Sequence, residues 1–226
     1  MIEISIAEDF AAAGIAVSLG CLEARVEVRE SDPALAAAMA EAVARRAEAL
    51  ADGAVAEIPE VAAARKAYKA GGKDPSRYRP SSEALLRRVA QGKGLYRINT
   101  LVDCNNLISL ETGLPLGCYR RDRIAPPVVF RLGRGGESYQ AIGRGPLNLE
   151  KLPLFADKEG PFGSPTSDSA RTMIDLSTER MVMVLIAFGG DDRLDTRLSD
   201  ATRTLERFCA ATEVQRNIIS SQWPSS

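Results

Sequence analysis

The decisive stretch is residues 96–119, which read YRINTLVDCNNLISLETGLPLGCY. Asn99, Asp103 and Asn106 follow one another at i, i+4 and i+7, so in a helix they lie along one stripe. Thr100 with Asp103 three residues later fits a capping box, which predicts that the helix begins there. Gly113 fits the glycine that commonly follows a helix end. The stretch therefore predicts one helix with a polar stripe.

The polar stripe has two interpretations. In the first, Asn99 and Asp103 only cap the start of the helix, and this accounts for these two residues as well as a binding function does. Asn106 lies in the middle of the helix, where asparagine has poor propensity, and the helix start does not explain it. Asn106 is therefore a candidate binding residue.

Composition limits the class of protein. The chain has 226 residues, 45% of them hydrophobic and 26% charged, which is typical of one soluble globular domain without a membrane partner. The acidic start MIEISIAEDF has no signal-peptide pattern, so a cytoplasmic location is expected. Four cysteines without a C-x-x-C pair indicate reduced thiols rather than a zinc site.

The chain contains no histidine. This excludes Ser-His-Asp and Cys-His catalysis, the H-E-x-x-H metal motif and any imidazole base. Chemistry would have to come from carboxylates, hydroxyls, amides, lysine, backbone dipoles or ordered water, and neither a cofactor nor a metal is expected.

Apolar periodicity predicts an α+β fold. Helices are expected at 33–53, 59–70, 81–89, 100–112 and 195–211, and strands at 2–6, 22–29, 128–132, near Tyr139, at 152–156 and at 181–188. The last of these is a nearly continuous apolar run, so we expect it in the middle of a sheet.

Residues 65–97 carry ten Lys or Arg residues and two acids, although the whole chain has a net charge of −1. Such a run is usually a solvated basic face. The alternative is a contact surface for RNA phosphates, with Tyr68 and Tyr78 able to stack on unpaired bases. The candidate RNA-binding residues are Lys73, Arg77, Tyr78 and Arg79.

Residues 160–172 read GPFGSPTSDSART and predict a loop whose backbone is restrained by proline. In one interpretation this is a surface loop, and its hydroxyl groups only make hydrogen bonds within local turns. Rigid loops also carry functional sites, and this loop offers hydroxyls, a carboxylate and a guanidinium. The candidate substrate-binding residues are Thr166, Ser167, Asp168 and Arg171.

The central segment resembles the signature of a known family, the tRNA-editing (B-three/B-four) domain of the phenylalanyl-tRNA synthetase β subunit. The matches in register are Ile98, Asn99, Val102, Asp103, Asn106, Glu111, Gly113, Pro115 and Leu116. Weaker matches continue to about residue 185. The resemblance implies a mixed, partly layered β-sheet flanked by helices. We expect a single domain with an N-terminal portion at 1–95, an editing-like core at 96–185 and a C-terminal helix and tail at 186–226.

The resemblance also implies a pocket that accepts a mischarged aminoacyl group on the 3′ adenosine of tRNA, with the segment corresponding to residues 160–172 against it. We therefore expect a pocket between the 99–112 helix and residues 160–172, with Asn106 pointing into it. Asn106 matches the pocket asparagine, and Asn105 stands where the family has threonine. Gly117 replaces the pocket histidine, and Arg120 replaces an aspartate. Val184 replaces the glutamate that reads a tyrosine hydroxyl, so a small or aliphatic amino acid is the expected target.

Two classes of function remain open. One is a free-standing deacylase that binds aminoacyl-tRNA and hydrolyses the ester, with a rate nearly constant between about pH 6 and pH 8 because no imidazole titrates. The other is a non-catalytic module that binds tRNA or an amino acid. Neither uses DNA, and a complete synthetase is not expected. A third, weaker hypothesis is thiol chemistry at Cys104 or Cys118, activated by Arg120, Arg121 and Arg123.

Overall fold

A computed structural model describes residues 1–30, 32–50 and 54–221. Its helices are α1 (Asp9–Ala12), α2 (Pro33–Ala49), α3 (Pro59–Ala70), α4 (Ser81–Ala90), α5 (Thr100–Thr112) and α6 (Leu194–Cys209). Its strands are β1 (Ile4–Ile6), β2 (Val17–Arg25), β3 (Leu116–Arg120), β4 (Val128–Leu132), β5 (Ser138–Ala141), β6 (Gly145–Asn148), β7 (Pro153–Asp157), β8 (Gly160–Gly163), β9 (Arg180–Phe188) and β10 (Thr212–Ser220). Among the helices in these ranges, none is long and apolar enough to cross a bilayer.

Two four-stranded sheets organise the chain. The first has the order β1-β4-β7-β8 and is mixed, because β1 pairs parallel to β4 while the other neighbours are antiparallel. The second has the order β10-β2-β9-β3 and is antiparallel throughout. Strands β5 and β6 form a separate hairpin.

The two faces of β9 serve two cores, because successive side chains of a strand point to opposite sides. Val182, Val184 and Ile186 belong to a core that also contains side chains of the first sheet, such as Phe130 and Phe155. Met181, Met183 and Leu185 belong to the second core, shared with helices α2, α4, α5 and α6. The result is sheet on sheet with helices over the second sheet. The α+β class and the layered, mixed sheet are therefore confirmed.

Several strands differ from the prediction. Strand β2 begins at Val17, before the predicted 22–29, and β3, β6, β8 and β10 were not predicted. Residues 160–163 were wrongly expected in a loop; they form β8 at the sheet edge, where proline is tolerated. Strand β10 is largely exposed, so it lacks an apolar alternation that would mark it. The predicted end of α2 at 51–53 lies outside the described residues.

Helix α5 begins at Thr100 as predicted, but through different contacts. Asn99 is the N-cap, and its Oδ1 accepts a hydrogen bond from the Val102 N–H at 3.0 Å. Asp103 Oδ1 accepts from the Ile98 N–H at 2.8 Å. The Thr100 hydroxyl instead accepts from the Arg29 N–H, so the expected Thr100–Asp103 capping box is wrong.

Glu83 anchors the basic part of the chain. Its carboxylate is fully buried in α4. Arg65 approaches it at 2.9 Å, Arg87 at 2.8 Å and Arg79 at 3.7 Å. A buried carboxylate is stable only when it is paired, so these guanidinium groups are held close to one point.

Glu83→Ala should therefore destabilise the fold. We expect a loss of about 2 kcal/mol in the free energy of unfolding, below the 3–5 kcal/mol of a fully buried pair because the arginines are partly solvated. Urea unfolding of Glu83→Ala beside Glu111→Ala, whose pair with Arg45 is exposed, measures this. Equal midpoints for the two variants would contradict the role of Glu83.

Candidate functional site

A cavity of about 230 Å³ lies between α5, the start of α4, strand β3 and residues 164–168. A pocket was expected at this place, and Asn106 is the member of the predicted polar stripe that lines it. Its polar lining consists of Ser81, Asn105, Asn106, Ser164, Ser167 and Asp168. Its apolar lining includes Val102, Leu116, Cys118 and Ile174. The cavity therefore combines an apolar wall with carboxyl, amide and hydroxyl groups, as small-molecule sites commonly do.

Asp168 supplies the carboxyl group of the cavity lining. Its Oδ1 accepts hydrogen bonds from the Tyr119 hydroxyl at 3.0 Å and from the Ser164 N–H at 3.2 Å. Burial raises the pKa of Asp168 to about 7, although these hydrogen bonds favour the ionised form and act in the opposite direction. Near neutral pH both the protonated and the ionised form of Asp168 are therefore populated, as a general acid or base requires.

Tyr119 reaches Asp168 because two glycines leave room for its ring. A Cβ on Gly117 would lie 2.0 Å from the Tyr119 hydroxyl oxygen, and one on Gly163 would lie 2.3 Å from it. The ring packs edge-to-face against Phe162 at 5.0 Å and Phe155 at 5.9 Å between centroids. The hydroxyl is thus held at one place, with Asp168 as its acceptor.

Residues 164–168 are held by hydrogen bonds from several sides. The Ser164 hydroxyl donates to Ser167 O at 2.8 Å and accepts from the Ser167 N–H at 3.2 Å. The Tyr139 hydroxyl donates to the same Ser167 carbonyl at 2.5 Å, and the Ile142 N–H donates to Asp168 O at 3.0 Å. The backbone around the carboxyl group is therefore fixed before any ligand binds.

Two oxygen atoms in the lining are buried without a hydrogen-bond partner among the described residues. They are Oδ1 of Asn105 and Oγ of Ser81. A buried oxygen without a partner is costly, so most such atoms in proteins are satisfied. A ligand that brings N–H or O–H donors would satisfy both atoms.

Comparison with known proteins assigns the family. The family model described as the B3/4 domain matches residues 63–218, more than half of the chain. The chain belongs to the B3/4 domain family. The match includes the cavity-lining segments of α4, α5, β3 and residues 164–174.

Individual relatives of this B3/4 domain are β subunits of phenylalanine–tRNA ligase. The protein of Bartonella henselae is 37% identical over 105 residues, which cover 46% of this chain and 13% of that protein. The protein of Bartonella quintana is 36% identical over 92 residues, or 40% of this chain and 11% of that protein. The matched region is thus about one eighth of the length of these relatives.

A solved structure is also similar to this B3/4 domain. It is an N-terminal fragment of the phenylalanyl-tRNA synthetase β subunit from Pyrococcus horikoshii, with 12% sequence identity and a TM-score of 0.45. The similarity covers 96% of this chain and 50% of that one.

The structure of the B3/4 domain brings some predicted binding residues together and not others. Asn105, Asn106, Ser167 and Asp168 line the cavity. Thr166 is buried, and its hydroxyl contacts the Tyr68 hydroxyl at 3.0 Å and donates to the Tyr78 carbonyl at 3.3 Å.

Two further predicted residues have structural partners. Gly117 faces the Tyr119 ring rather than the cavity. Arg171 makes a two-pronged ion pair with Asp157 at 2.9 and 3.1 Å and a second with Glu159. Its guanidinium fork is thus already engaged by carboxylates.

Val184 does not stand in the cavity either. It lies in the core between the two sheets, opposite Gly117 in the register of β9 and β3, whereas Leu116 and Cys118 line the cavity from the other face of β3. The prediction that Val184 selects the target therefore loses its basis, because a strand places neighbouring residues on opposite faces. Leu116, Cys118 and Ile174 line the cavity instead.

The thiol hypothesis is wrong. Burial raises the pKa of Cys118 well above its usual range, and the hydrogen bond between the Cys104 and Cys209 thiols, followed by burial, raises that of Cys104. Arg120 is paired with Asp122 and Asp175. Arg121 is paired with Glu23 and Arg123 with Asp122, so carboxylates rather than thiols engage these arginines.

The predicted RNA-binding residues occupy different environments. Lys73 is buried, and its ammonium donates to the Glu150 carbonyl at 2.5 Å and lies 3.9 Å above the Tyr78 ring. Arg77 and Arg79 are exposed. Lys73 and Tyr78 thus hold this segment against the 148–150 turn.

Ser81 and Tyr119 belong to the site without having been predicted there. Ser81 is the first residue of α4, and its hydroxyl makes no cap bond and lies in the cavity wall. Tyr119 resembles any core aromatic residue in the sequence. Gly117 and Gly163 are the related signal in the sequence, because they leave room for the Tyr119 ring. This relation is apparent only in the folded chain.

Replacing the carboxyl group tests its environment through stability. The pKa of Asp168 is raised in the folded state, so its contribution to stability is present at low pH and is lost as the pH rises through about 7. Asp168→Asn does not titrate. We therefore expect its melting temperature to increase relative to the natural protein between about pH 5 and pH 8.

Thermal melts across this range measure the difference. Asp195→Asn, which changes an exposed aspartate of α6, is the matched control and should keep a constant difference. A constant difference for Asp168→Asn as well would show that its carboxyl group is not perturbed.

Proposed function

We propose that this B3/4 domain binds the aminoacyl-adenosine end of an aminoacyl-tRNA and hydrolyses the ester of a mischarged amino acid. The observation that carries the proposal is the Asp168 carboxyl group, whose pKa burial raises to about 7, in a cavity with two asparagine side chains. Membership of the B3/4 family and the relatives named phenylalanine–tRNA ligase β subunits support a substrate related to tRNA.

Hydrolysis needs one base and one water molecule. The Asp168 carboxylate takes a proton from the water, whose oxygen attacks the ester carbonyl carbon and forms a tetrahedral oxyanion. The bond between this carbon and the ribose oxygen then breaks, and protonated Asp168 returns the proton to the leaving oxygen. The products are a free amino acid and an RNA with a free hydroxyl. Histidine is not required, because one titrating carboxyl group serves both steps.

The amide groups have separate roles in this scheme. The Asn106 amide is a donor in the cavity wall and would stabilise the oxyanion. The unpartnered Asn105 Oδ1 and Ser81 Oγ would accept hydrogen bonds from the ammonium group of the amino acid. The substrate would thereby satisfy the two buried oxygens.

The cavity also suggests the class of amino acid. Its volume of about 230 Å³ is below the usual range for a drug-sized ligand, so it suits the aminoacyl group while the adenosine lies outside. Val102, Leu116 and Ile174 supply an apolar wall. The target is therefore a small or aliphatic amino acid, because these three side chains, rather than Val184, would surround it.

A non-catalytic recognition module is the second candidate. The observation in its favour is that Asp168 is the single carboxyl group in the described cavity lining, and the Cys118 thiol beside it has a raised pKa. Such a site can bind an aminoacyl group without cleaving it.

Asp168→Asn separates the two candidates. Incubated with a panel of mischarged tRNAs, the natural protein should release the amino acid, and Asp168→Asn should be slower by about 10²- to 10⁴-fold, the usual contribution of a general base. Binding of the same tRNAs should persist, because asparagine keeps the shape of the side chain.

Asn106→Ala is the companion variant and should weaken binding and rate together. If the natural protein binds the tRNAs but releases no amino acid from any of them, the domain is a recognition module. Hydrolysis by Asp168→Asn at the natural rate would instead remove Asp168 from the mechanism.

The rate should depend on pH through Asp168. The ionised form is the base, so the rate should rise with pH to a plateau, with a midpoint near pH 7. This sloping profile replaces the flat one that the lack of histidine suggested. The Tyr119 hydrogen bond stabilises the carboxylate and lowers its pKa, so Tyr119→Phe should move the midpoint to higher pH.

Tyr139→Phe is the matched control. It removes a hydroxyl that donates to the Ser167 carbonyl rather than to the Asp168 carboxylate, so its midpoint should stay where it is. Rate profiles of the three proteins test this. A common midpoint in all of them would argue against Asp168 as the titrating group.

A further inference from the structure

A second cavity, here called the basic cleft, lies beside the first. It has a volume of about 320 Å³ and is formed by α4, residues 91–96 and the turn between β5 and β6. Its charged lining consists of five cations, Arg79, Arg87, Arg88, Lys93 and Arg144, and in the described part of the chain it includes no acid. Four of these come from the basic run, and Arg144 comes from a segment far away in sequence.

The basic cleft and the cavity that contains Asp168 are lined by three segments in common. The start of α4 contributes Ser81 to the cavity and Ala84 to the cleft. The 96–98 segment contributes Ile98 to the cavity and Tyr96 to the cleft. The β5–β6 hairpin contributes Ile142 and Arg144 in the same way. On each of these segments the cleft lining therefore lies within two or three residues of the cavity lining.

Exposed hydrophobic side chains surround this junction. Seven large hydrophobic residues are exposed in the described part of the chain, and four of them are here: Tyr96 at 56%, Ile98 at 61%, Ile142 at 40% and Met173 at 42%. The Arg88 guanidinium lies 3.9 Å over the Tyr96 ring and donates to its hydroxyl, which orients the ring. Unpaired bases stack on aromatic rings such as that of Tyr96, and nearby cations attract the phosphates of the same strand.

The arginines of the cleft are already positioned. Buried Glu83 holds Arg87 and Arg79 from below, and Arg88 donates to the Gly94 carbonyl at 2.5 Å. One buried carboxylate does not neutralise five cations, so the cleft keeps a positive charge. Positioned guanidinium groups bind phosphate at a smaller entropic cost than free ones.

We propose that the basic cleft binds the phosphates of a single-stranded RNA 3′ end whose terminal aminoacyl nucleoside enters the cavity of Asp168. The bases of this strand stack on Tyr96 and on the apolar rim. The inference rests on the proposed function for the nature of the terminal group. It assigns phosphate contacts to Arg79, Arg87, Arg88, Lys93 and Arg144 and none to Lys73.

The test reverses charge at two exposed positions that do not hold the fold. Lys93→Glu with Arg144→Glu is compared with Arg45→Glu and Arg203→Glu, which change exposed arginines of α2 and α6 outside the cleft. Fluorescence anisotropy with a short labelled RNA ending in C-C-A, at several salt concentrations, gives the affinity and its salt slope. Melting temperatures show that both variants fold.

The cleft variant should bind roughly tenfold more weakly at low salt. Its slope of log K against log salt should fall by about 1.4, from about 0.7 for each lost phosphate contact in a single strand. Tyr96→Ala should weaken binding by roughly fivefold to a hundredfold, and Tyr96→Phe should not. Unchanged affinity and slope in the cleft variant, or equal losses in the α2–α6 control, would overturn the inference.

Kinetics distinguish this inference from the proposed function. The cleft variant should raise KM for an aminoacyl-RNA while kcat stays the same, and it should hydrolyse an aminoacyl-adenosine without phosphates at the natural rate. RNA binding through the cleft without any hydrolysis would leave the cleft standing and remove the deacylase. Hydrolysis of both substrates with the same KM in the natural and cleft variants would overturn the cleft alone.

Discussion

The site depends on one hydrogen bond, from the Tyr119 hydroxyl to the Asp168 carboxyl group. Tyr119 lies in β3 of the second sheet, and Asp168 follows β8 of the first sheet, so this bond joins the two layers at the cavity. The ring passes over two glycines, and packing against phenylalanines leaves it no other position. A buried phenol must find a partner, and a buried carboxyl group needs a donor. Each group satisfies the other, and the carboxyl group remains at the edge of the cavity.

The same burial that requires this bond also gives Asp168 its chemistry. A carboxyl group in water is fully ionised at neutral pH and is a weak base, whereas burial raises the pKa of Asp168 to about 7. A chain without histidine thereby obtains a group that gains and loses a proton near neutral pH. Oδ1 of Asn105 and Oγ of Ser81 line the same cavity and make no hydrogen bond within the described part of the chain. Both features suit a substrate that carries an ammonium group and an ester.

The positive charge of residues 65–97 has more than one role in the folded chain. Arg65, Arg79 and Arg87 converge on buried Glu83, and Lys73 is buried against backbone carbonyls. Of the other cations in this run, Arg88 and Lys93 join Arg79, Arg87 and Arg144 in the lining of the basic cleft. A basic run in a sequence therefore does not map directly to a basic surface. Pairing with one buried acid neutralises part of the charge and positions Arg79 and Arg87 in the basic cleft.

Local pattern determined much of this B3/4 domain. The sequence alone predicted the helices α3, α4 and α5 closely, the glycine at the end of α5, the central position of β9, and a pocket between α5 and residues 160–172. The secondary-structure features follow from periodicity and from backbone preferences, which act over a few residues, whereas the place of the pocket followed from the family resemblance. Only the tertiary structure decided that Val184 faces the core between the sheets and that Lys73 is buried. It also decided that Asp168 titrates near neutral pH, because burial and pairing are made by residues far apart in the sequence.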